Sequence, residues 1–375
     1  MALPTTYTRV ALANRPRDFI NSDTFSTEIQ RLEDLKPSDT HVVVRVDYIS
    51  LDPAMRGWIN EKGSYVSAVK IGETMRAFGF GTVVKVKDGK TGGLRVGDTV
   101  KGQMGWAEYR LLRESELEKL SIQRGLDVLD YLGPLSYPGY TAYFGLFDVG
   151  KIKAGETLVV SGAAGAVGSI ACQIGKLKGC RVIAIAGSQD KCEWLENELG
   201  VDKALNYKDG DFYKKCKEIF AASGSGADAG GWDVYFDNVG GDMLDFMLTR
   251  MRKGARVALC GTISQYNSSK PKGLASYTNL IVMRARIEGF LVYGINHSLS
   301  RALTTHQIPY RMDYASKFAE AEREMAQWIL EGKLKRKYHV VEGLAKAPEA
   351  INLLFTGGNT GKLIVKVSKG ASSRL

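Results

Sequence analysis

The stretch TLVVSGAAGAVGSIACQIGKLKG, Thr157–Gly179, decides the fold. Its opening, TLVVSG, is a short apolar run with β-branched residues, the pattern of a strand buried on both faces. Its close places Ile170, Ile174 and Leu177 on one face of a helix. A strand that runs through a glycine-rich turn into a helix makes an anion site. The turn's N–H groups are free, and the helix N-terminus carries partial positive charge. Against the pattern G-x-G-x-x-G, aligned on its last two glycines, the stretch reads Ala163, Gly165, Gly168. Gly165 lets the backbone approach a pyrophosphate, with Ala166 and Val167 following, and Gly168 lets the helix pack close to the strand. Ala163 fits only with negative φ, so the turn must differ slightly from the usual one. A purely structural tight turn is the competing reading; the strand before and the helix after favour a nucleotide.

The next strand ends RVIAIAGSQDK, Arg181–Lys191. Sites for NAD place Asp or Glu at this tip, about 20 residues past the glycines, to bind the ribose 2′-hydroxyl. Here Gly187 and Ser188 form the tip and Lys191 follows one turn into the next helix. A small polar tip beside a cation suits a 2′-phosphate and points to NADP(H). Asp190, at the start of that helix, complements the helix dipole. A plain surface lysine is the other reading of Lys191.

Strand and helix patterns alternate beyond this point. KCEWLENELG is a helix ended by Gly200, and DKALNY is a strand. WDVYFDNVGG, ARVALCGTISQYN and RIEGFLVYG supply further strands. The expected fold class is therefore α/β, a doubly wound parallel sheet of the Rossmann kind. Residues 1 to about 135 differ: HVVVRVDYISL, FGFGTVVKVKD and LRVGDTVKG read as strands of a compact barrel. The texture changes within YLGPLSYPGYTAYFGL, Tyr131–Leu146. The expected domains are 1–137, completed by 336–375, and 138–335. In Tyr314–Lys333, the stripe Tyr314, Phe318, Met325, Trp328, Ile329 has helical spacing and reads as core packing.

Composition narrows the function. The chain has 375 residues and 44% hydrophobic content, enough for two domains. No segment holds the roughly 20 consecutive apolar residues of a membrane span. The first residues carry Arg9, Arg15 and Arg17 without an apolar core, so no secretory signal is expected. Cys172, Cys180, Cys192, Cys216 and Cys260 are scattered and form no C-x-x-C pair, which suits reduced thiols inside a cell. The four histidines stand at no ligand spacing, so no metal site is expected. The net charge of +10 raises nucleic-acid binding through KLKRKYH, Lys333–His339, but no recognition motif surrounds it and a solvated helix end is the plainer reading.

GYTAYFGL, KIKAGETLVVSGAAGAVGS, GSQDK, NYK, DVYFDNVGG, CGTISQYN and GKLIVKV together resemble the medium-chain dehydrogenase/reductase superfamily. More narrowly they resemble its zinc-free branch of leukotriene/prostaglandin reductases and plant alkenal double-bond reductases. The resemblance runs from about Asp47 to Val367. It implies a GroES-like β-barrel beside the nucleotide-binding domain, a C-terminus that returns to the barrel, and a homodimer. It also implies NADPH-dependent reduction of the C=C bond of α,β-unsaturated aldehydes or ketones. Zinc-dependent relatives carry a Cys where this chain has Ser50 and a Gly-His-Glu motif where FGFGTVV stands, so the resemblance implies no metal.

By the same resemblance, Gly165, Ala166, Val167 and Gly168 are expected to contact the pyrophosphate, and Lys191 and Tyr207 match the positions that hold the 2′-phosphate, with Ser188 beside them. Asn238 contacts the cofactor. Cys260, Gly261, Thr262, Ile263, Ser264 and Tyr266 line the nicotinamide side. Phe290, Leu291 and Val292 match the strand beside it, and Asn359 matches a contact from the tail. Ala54 stands where plant relatives carry an aromatic in D-P-x-M-R, and Phe80 where some carry a pocket tyrosine; Tyr48 and Tyr293 are further pocket candidates or core residues.

Tyr266 is the candidate for chemistry. When hydride adds to the β-carbon of an enone, negative charge develops on the carbonyl oxygen, and a donor aimed there stabilises it. Tyr266 packing on the cofactor, with solvent supplying the proton, is the alternative. A quinone oxidoreductase of the same fold and a non-catalytic NADP-binding sensor or scaffold are the rival functions. The chain's end, Ser373-Arg374-Leu375, resembles a peroxisomal address. The expected residence is cytoplasmic or peroxisomal.

Overall fold

In the computed structural model, which describes residues 3–61, 66–89, 91–221, 230–292 and 314–368, the chain divides into two units. They are Met1–Leu132 with Tyr338–Leu375, and Gly133–Lys337. Tyr293 and the Ser373-Arg374-Leu375 tripeptide lie outside the described residues.

The first unit opens with an antiparallel hairpin of β1 (Thr6–Leu12) and β2 (Phe25–Arg31). Its main sheet contains β3 (His41–Ser50), β4 (Phe78–Lys85), β5 (Thr99–Gln103), β6 (Tyr109–Arg113) and β7 (Glu118–Lys119). β3 is the spine of a barrel-like sheet: it pairs antiparallel with β4 and, through His41–Arg45, with β6. Val42, Val43, Val44 and Val46 are all buried, as a strand covered on both faces requires. A short helix α1 (Met55–Trp58) follows β3.

The second unit starts with α2 (Tyr137–Phe144). Then come β8 (Thr157–Val160), α3 (Ala166–Leu177), β9 (Arg181–Ala186), α4 (Gln189–Asn197), β10 (Lys203–Asn206) and α5 (Phe212–Ile219). β11 (Trp232–Asp237), α6 (Gly241–Met247), β12 (Met251–Leu259), α7 (Asn279–Met283), β13 (Arg286–Gly289) and α8 (Phe318–Leu330) complete it. The six strands are parallel in the order β10-β9-β8-β11-β12-β13. Strand order therefore reverses between β8 and β11, the topological switch point where open α/β sheets bind ligands. Val159, Ile183, Leu205, Trp232, Tyr235 and Val257 join one buried cluster. The Tyr314–Ile329 stripe is core packing: Met325, Trp328 and Ile329 are buried, while Phe318 stacks on Tyr140 and Tyr314 on Phe144.

The chain then returns to the first unit as β14 (Tyr338–Glu342), α9 (Ala347–Ala350), α10 (Leu353–Thr356) and β15 (Lys362–Lys366). β15 lies parallel to β14 and antiparallel to β3, with Ile364 opposite Ser50. The division between the two units falls between Leu132 and Gly133. The turn Val128–Leu132 is tied into the first unit, because the Tyr338 hydroxyl bonds Asp130 and the Gln123 N–H donates to the Tyr131 hydroxyl. The Lys333–His339 run is committed structurally. Lys333 pairs with Glu331, Lys335 donates to the Glu198 carbonyl, and the Lys337 ammonium lies 4.7 Å from the Trp194 ring centre. Among the described residues no helix is long and apolar enough to cross a membrane.

Candidate functional site

The glycine-rich turn leaves the C-terminal end of β8, beside the switch point. Gly162 takes positive φ, +58°, and Ala163 does not. The left-handed residue thus sits one place before the position that the fingerprint alignment gave to its first glycine. Ala163 is buried, and its N–H donates to the Ile185 carbonyl at 3.0 Å, fastening the turn to β9. A Cβ on Gly168 would lie 2.3 Å from the Gly162 carbonyl oxygen and 2.7 Å from the Ala163 Cα. Gly168 is therefore what lets α3 close onto the turn.

Gly165 is different. Its φ is −83°, and a Cβ there would meet only the Gly162 oxygen, at 3.2 Å. The protein's own packing makes little demand for glycine at this point; a ligand laid against the backbone would. No side chain caps α3 and no acidic residue stands in its first turn. The half-buried Ala166 and Val167 and the buried Gly168 present the helix's first N–H groups. A bare backbone and an uncapped helix start fit the pyrophosphate of a dinucleotide.

At the end of β9, Ser188 is the N-cap of α4 and Lys191 lies in that helix's first turn, buried. Desolvation holds the Lys191 amine below the usual lysine range; Asp190 opposes this and Lys208 adds to it. The Asp190 carboxyl is held below its usual range by the Ser188 hydroxyl and by backbone N–H groups of α4, so it serves the helix start as expected. Tyr207 lies against Gly187, where a Cβ would approach the ring at 2.9 Å. The Lys208 ammonium lies 5.9 Å from the Tyr207 ring centre. Two lysines close enough to oppose each other's charge, one of them buried, beside a hydroxyl and an aromatic ring, fit a phosphate dianion. Nothing in the sequence of NYK marks Lys208 as a partner of Lys191. Only the folded turn shows that it faces the same neighbourhood as Lys191.

Asp237, at the end of β11, is fully buried and gathers the adjacent loops. Its carboxylate accepts the Ser161 hydroxyl at 2.7 Å, the Val239 N–H at 3.0 Å and the Gly240 N–H at 3.1 Å. Burial raises the Asp237 carboxyl, and these donors oppose the shift. Asn238 donates from its backbone to Ser161 Oγ at 2.9 Å and from Nδ2 to the Ser161 carbonyl at 2.7 Å. Cys260 and Gly261 donate to the Asp237 carbonyl at 2.9 and 3.1 Å, Ile263 to the Asn238 carbonyl, and Ser264 to the Val239 carbonyl.

The 260–266 loop is thereby hung on the 237–239 turn. Tyr266 folds back within it: the Thr262 N–H donates to the Tyr266 hydroxyl at 3.4 Å. Desolvation raises the Tyr266 phenol above its ordinary value. Burial pushes the Cys260 thiol up to about 12, which keeps it protonated and a poor nucleophile.

Phe290, Leu291 and Val292 do not lie in a strand. β13 ends at Gly289, and the three residues form its exit. The Phe290 ring packs edge-on to Phe236, and a Cβ on Gly145 would lie 2.4 Å from Phe290 Cζ. Val292 is buried and Leu291 exposed.

Ala54, Phe80 and Asn359 belong to the first unit. Ala54 is the half-buried N-cap of α1. The Asn359 side chain donates to the Gly361 carbonyl at 3.0 Å, in the turn before β15. Phe80 is fully buried, with its ring 5.0 Å from that of Tyr48, which is also buried, so in this structure it packs within the barrel-like sheet. Ser50, at the position of the zinc relatives' Cys, donates its hydroxyl to Asp52, whose other oxygen takes the buried Lys362 ammonium at 2.6 Å.

The family comparisons agree with this architecture. A family model described as the N-terminal domain of oxidoreductases matches residues 8–120, and one described as zinc-binding dehydrogenase matches residues 166–306. The NADP(+)-dependent 2-alkenal reductase of Nicotiana tabacum is 36% identical over 330 residues, 88% of each chain. Prostaglandin reductase 1 of Bos taurus is 36% identical over 350 residues, 92% of this chain and 94% of that one. The crystal structure of CurA in complex with NADPH from Vibrio vulnificus superposes with a TM-score of 0.83 at 33% identity, covering 96% of this chain and 99% of the other. The chain belongs to the medium-chain dehydrogenase/reductase family, in the zinc-free branch that contains the prostaglandin and alkenal reductases.

Proposed function

We propose that the protein is an NADPH-dependent reductase of C=C bonds conjugated to a carbonyl, acting on α,β-unsaturated aldehydes and ketones. The observation that carries this is the uncapped start of α3 at the switch point, with the buried Lys191 in the first turn of the helix that follows the neighbouring strand β9, in a chain 36% identical to a 2-alkenal reductase. The cofactor is NADP(H). Gly165, Ala166, Val167 and Gly168 hold its pyrophosphate, while Ser188, Lys191, Tyr207 and Lys208 hold its 2′-phosphate. Asn238, the 260–264 segment and the exit Phe290–Val292 flank its nicotinamide, and Asn359 contributes from the tail. When bound, NADPH supplies a hydride.

The chain's own task is to orient the enone and to meet the charge that develops on its carbonyl oxygen. Tyr266 is the donor we assign. Its hydroxyl oxygen accepts from Thr262, which leaves its proton to give, and its raised pKa keeps that proton in place at neutral pH. Ala54 borders the enone and leaves more room than a ring would. In the test, the purified protein is given NADPH and a small enone. Cofactor oxidation with formation of the saturated carbonyl is expected; turnover confined to quinones would move the protein to quinone reduction, and tight binding without turnover to a sensor.

Lys191→Ala should weaken NADPH binding roughly 10-fold to 100-fold, the worth of one hydrogen bond to a charged group, and NADH binding far less. Titration of intrinsic fluorescence with both cofactors measures this, and equal losses would remove the assignment. Since desolvation lowers the Lys191 amine, the preference for NADPH should fade as pH rises through that lowered value.

The homodimer is part of the same reading. Beyond β13 no further strand pairs among the described residues, and Tyr277, Ile281 and Val282 beside it are 56%, 77% and 75% exposed. A strand edge without a partner among the described residues, next to an apolar patch, suits a second copy of the chain. Sedimentation equilibrium should give a dimer; a monomer at micromolar concentration would refute it. All five cysteines are free thiols, which fits a reducing compartment such as the cytoplasm.

A further inference from the structure

We propose that Ser161 and Asp237 are positioning residues: a buried latch that closes the sheet at its switch point and fixes both loops around the dinucleotide. The proposal rests on the NADP(H) reading above. β8 and β11 are neighbours in the parallel sheet, and their C-terminal ends open the crevice in which a ligand of this fold lies. Nothing in a parallel ladder holds two strands together past its last backbone bond. Here that bond, from the Ser161 N–H to the Phe236 carbonyl at 3.1 Å, is followed at once by side chains.

The Ser161 hydroxyl donates to Asp237 and accepts from the Asn238 N–H. Ser161 is also the residue from which the glycine turn departs. Asp237, in turn, receives the N–H groups of Val239 and Gly240 on its carboxylate and those of Cys260 and Gly261 on its carbonyl. One serine and one aspartate, both with no exposed surface, thus join three segments far apart in sequence: the 161–165 turn, the 238–240 turn and the 260–264 loop. Neither side chain offers surface to a ligand. Their work is to fix the positions of the segments that do.

The latch serves the dinucleotide as a whole and not its phosphate tag, so it differs in signature from Lys191. Ser161→Ala is tested in the full chain by fluorescence titration with NADPH and with NADH, and by amide hydrogen exchange. Loss of the buried charge-assisted bond should raise both dissociation constants alike, by roughly 10-fold or more. Exchange should accelerate at 238–240 and 260–264 while β9 keeps wild-type protection. Unchanged affinity for both cofactors with unchanged exchange in those loops would overturn the proposal, as would a uniform rise in exchange across the sheet. If Ser161→Ala fails to fold, Ser161→Cys keeps nearly the same volume with a weak donor, and the same outcomes decide. A wild-type chain that binds neither cofactor would instead refute the NADP(H) reading, and the exchange pattern would still test the latch.

Discussion

Replacing Tyr266 by phenylalanine is expected to lower kcat for a small enone by about 100-fold or more, the effect of removing one donor from a developing oxyanion. The dissociation constant for NADPH should stay near that of the wild type. The substitution keeps the ring within its loop and removes only the hydroxyl, which meets the Thr262 N–H at 3.4 Å. Steady-state kinetics with a parallel cofactor titration separates the two effects. A wild-type kcat would leave Tyr266 a packing residue and solvent the proton source. The pH profile gives a second check. Desolvation raises the phenol above its ordinary value, so the protonated donor persists through neutral and mildly alkaline pH. Its contribution is lost only as pH rises through that raised value, and the Tyr266→Phe profile should lack this alkaline limb.

Gly168→Ala should be as damaging, at a different step. The added Cβ meets the Gly162 carbonyl oxygen at 2.3 Å and the Ala163 Cα at 2.7 Å. Both are backbone atoms, so α3 must withdraw from the turn instead of a side chain swinging aside. Overpacking of this kind costs about 1–3 kcal/mol of stability. Displacing the turn by about 1 Å should cost about 100-fold in NADPH-dependent kcat/KM. Thermal unfolding and steady-state kinetics measure the two. Gly165→Ala is the informative partner. Its Cβ has one protein neighbour, at 3.2 Å, so the melting temperature should fall much less than in Gly168→Ala while cofactor binding falls. Full NADPH-dependent activity of Gly168→Ala would remove the turn from the site.

The α/β class was legible because β8, β9 and β11 are apolar runs separated by helices with one apolar face, and local composition is enough for that. Unit boundaries were legible only to within a few residues, because a hydrogen bond from Tyr338 to Asp130 joins positions that no local pattern relates. The glycine turn was legible in kind but not in detail. The alignment could place a departure at Ala163, but the fold carries the left-handed residue at Gly162. Lys208, Ser161 and Asp237 escaped for one reason: the neighbours that give each its meaning, Lys191 for the first and each other for the last two, are brought close only by sheet order. The depth of Phe80 was not legible, because likeness to a pocket residue says nothing about burial, and here the ring is packed on Tyr48.

The return of the chain to its first unit sets an order on biosynthesis. The edge of β3 from Tyr48 to Ser50 finds its partner only in β15, more than three hundred residues later. The residues 133–337 between them leave the ribosome as a complete unit and can fold while the first strands still wait. The part synthesised first is thus finished last, and until β15 arrives the nascent chain shows an apolar strand edge of the kind that chaperones cover.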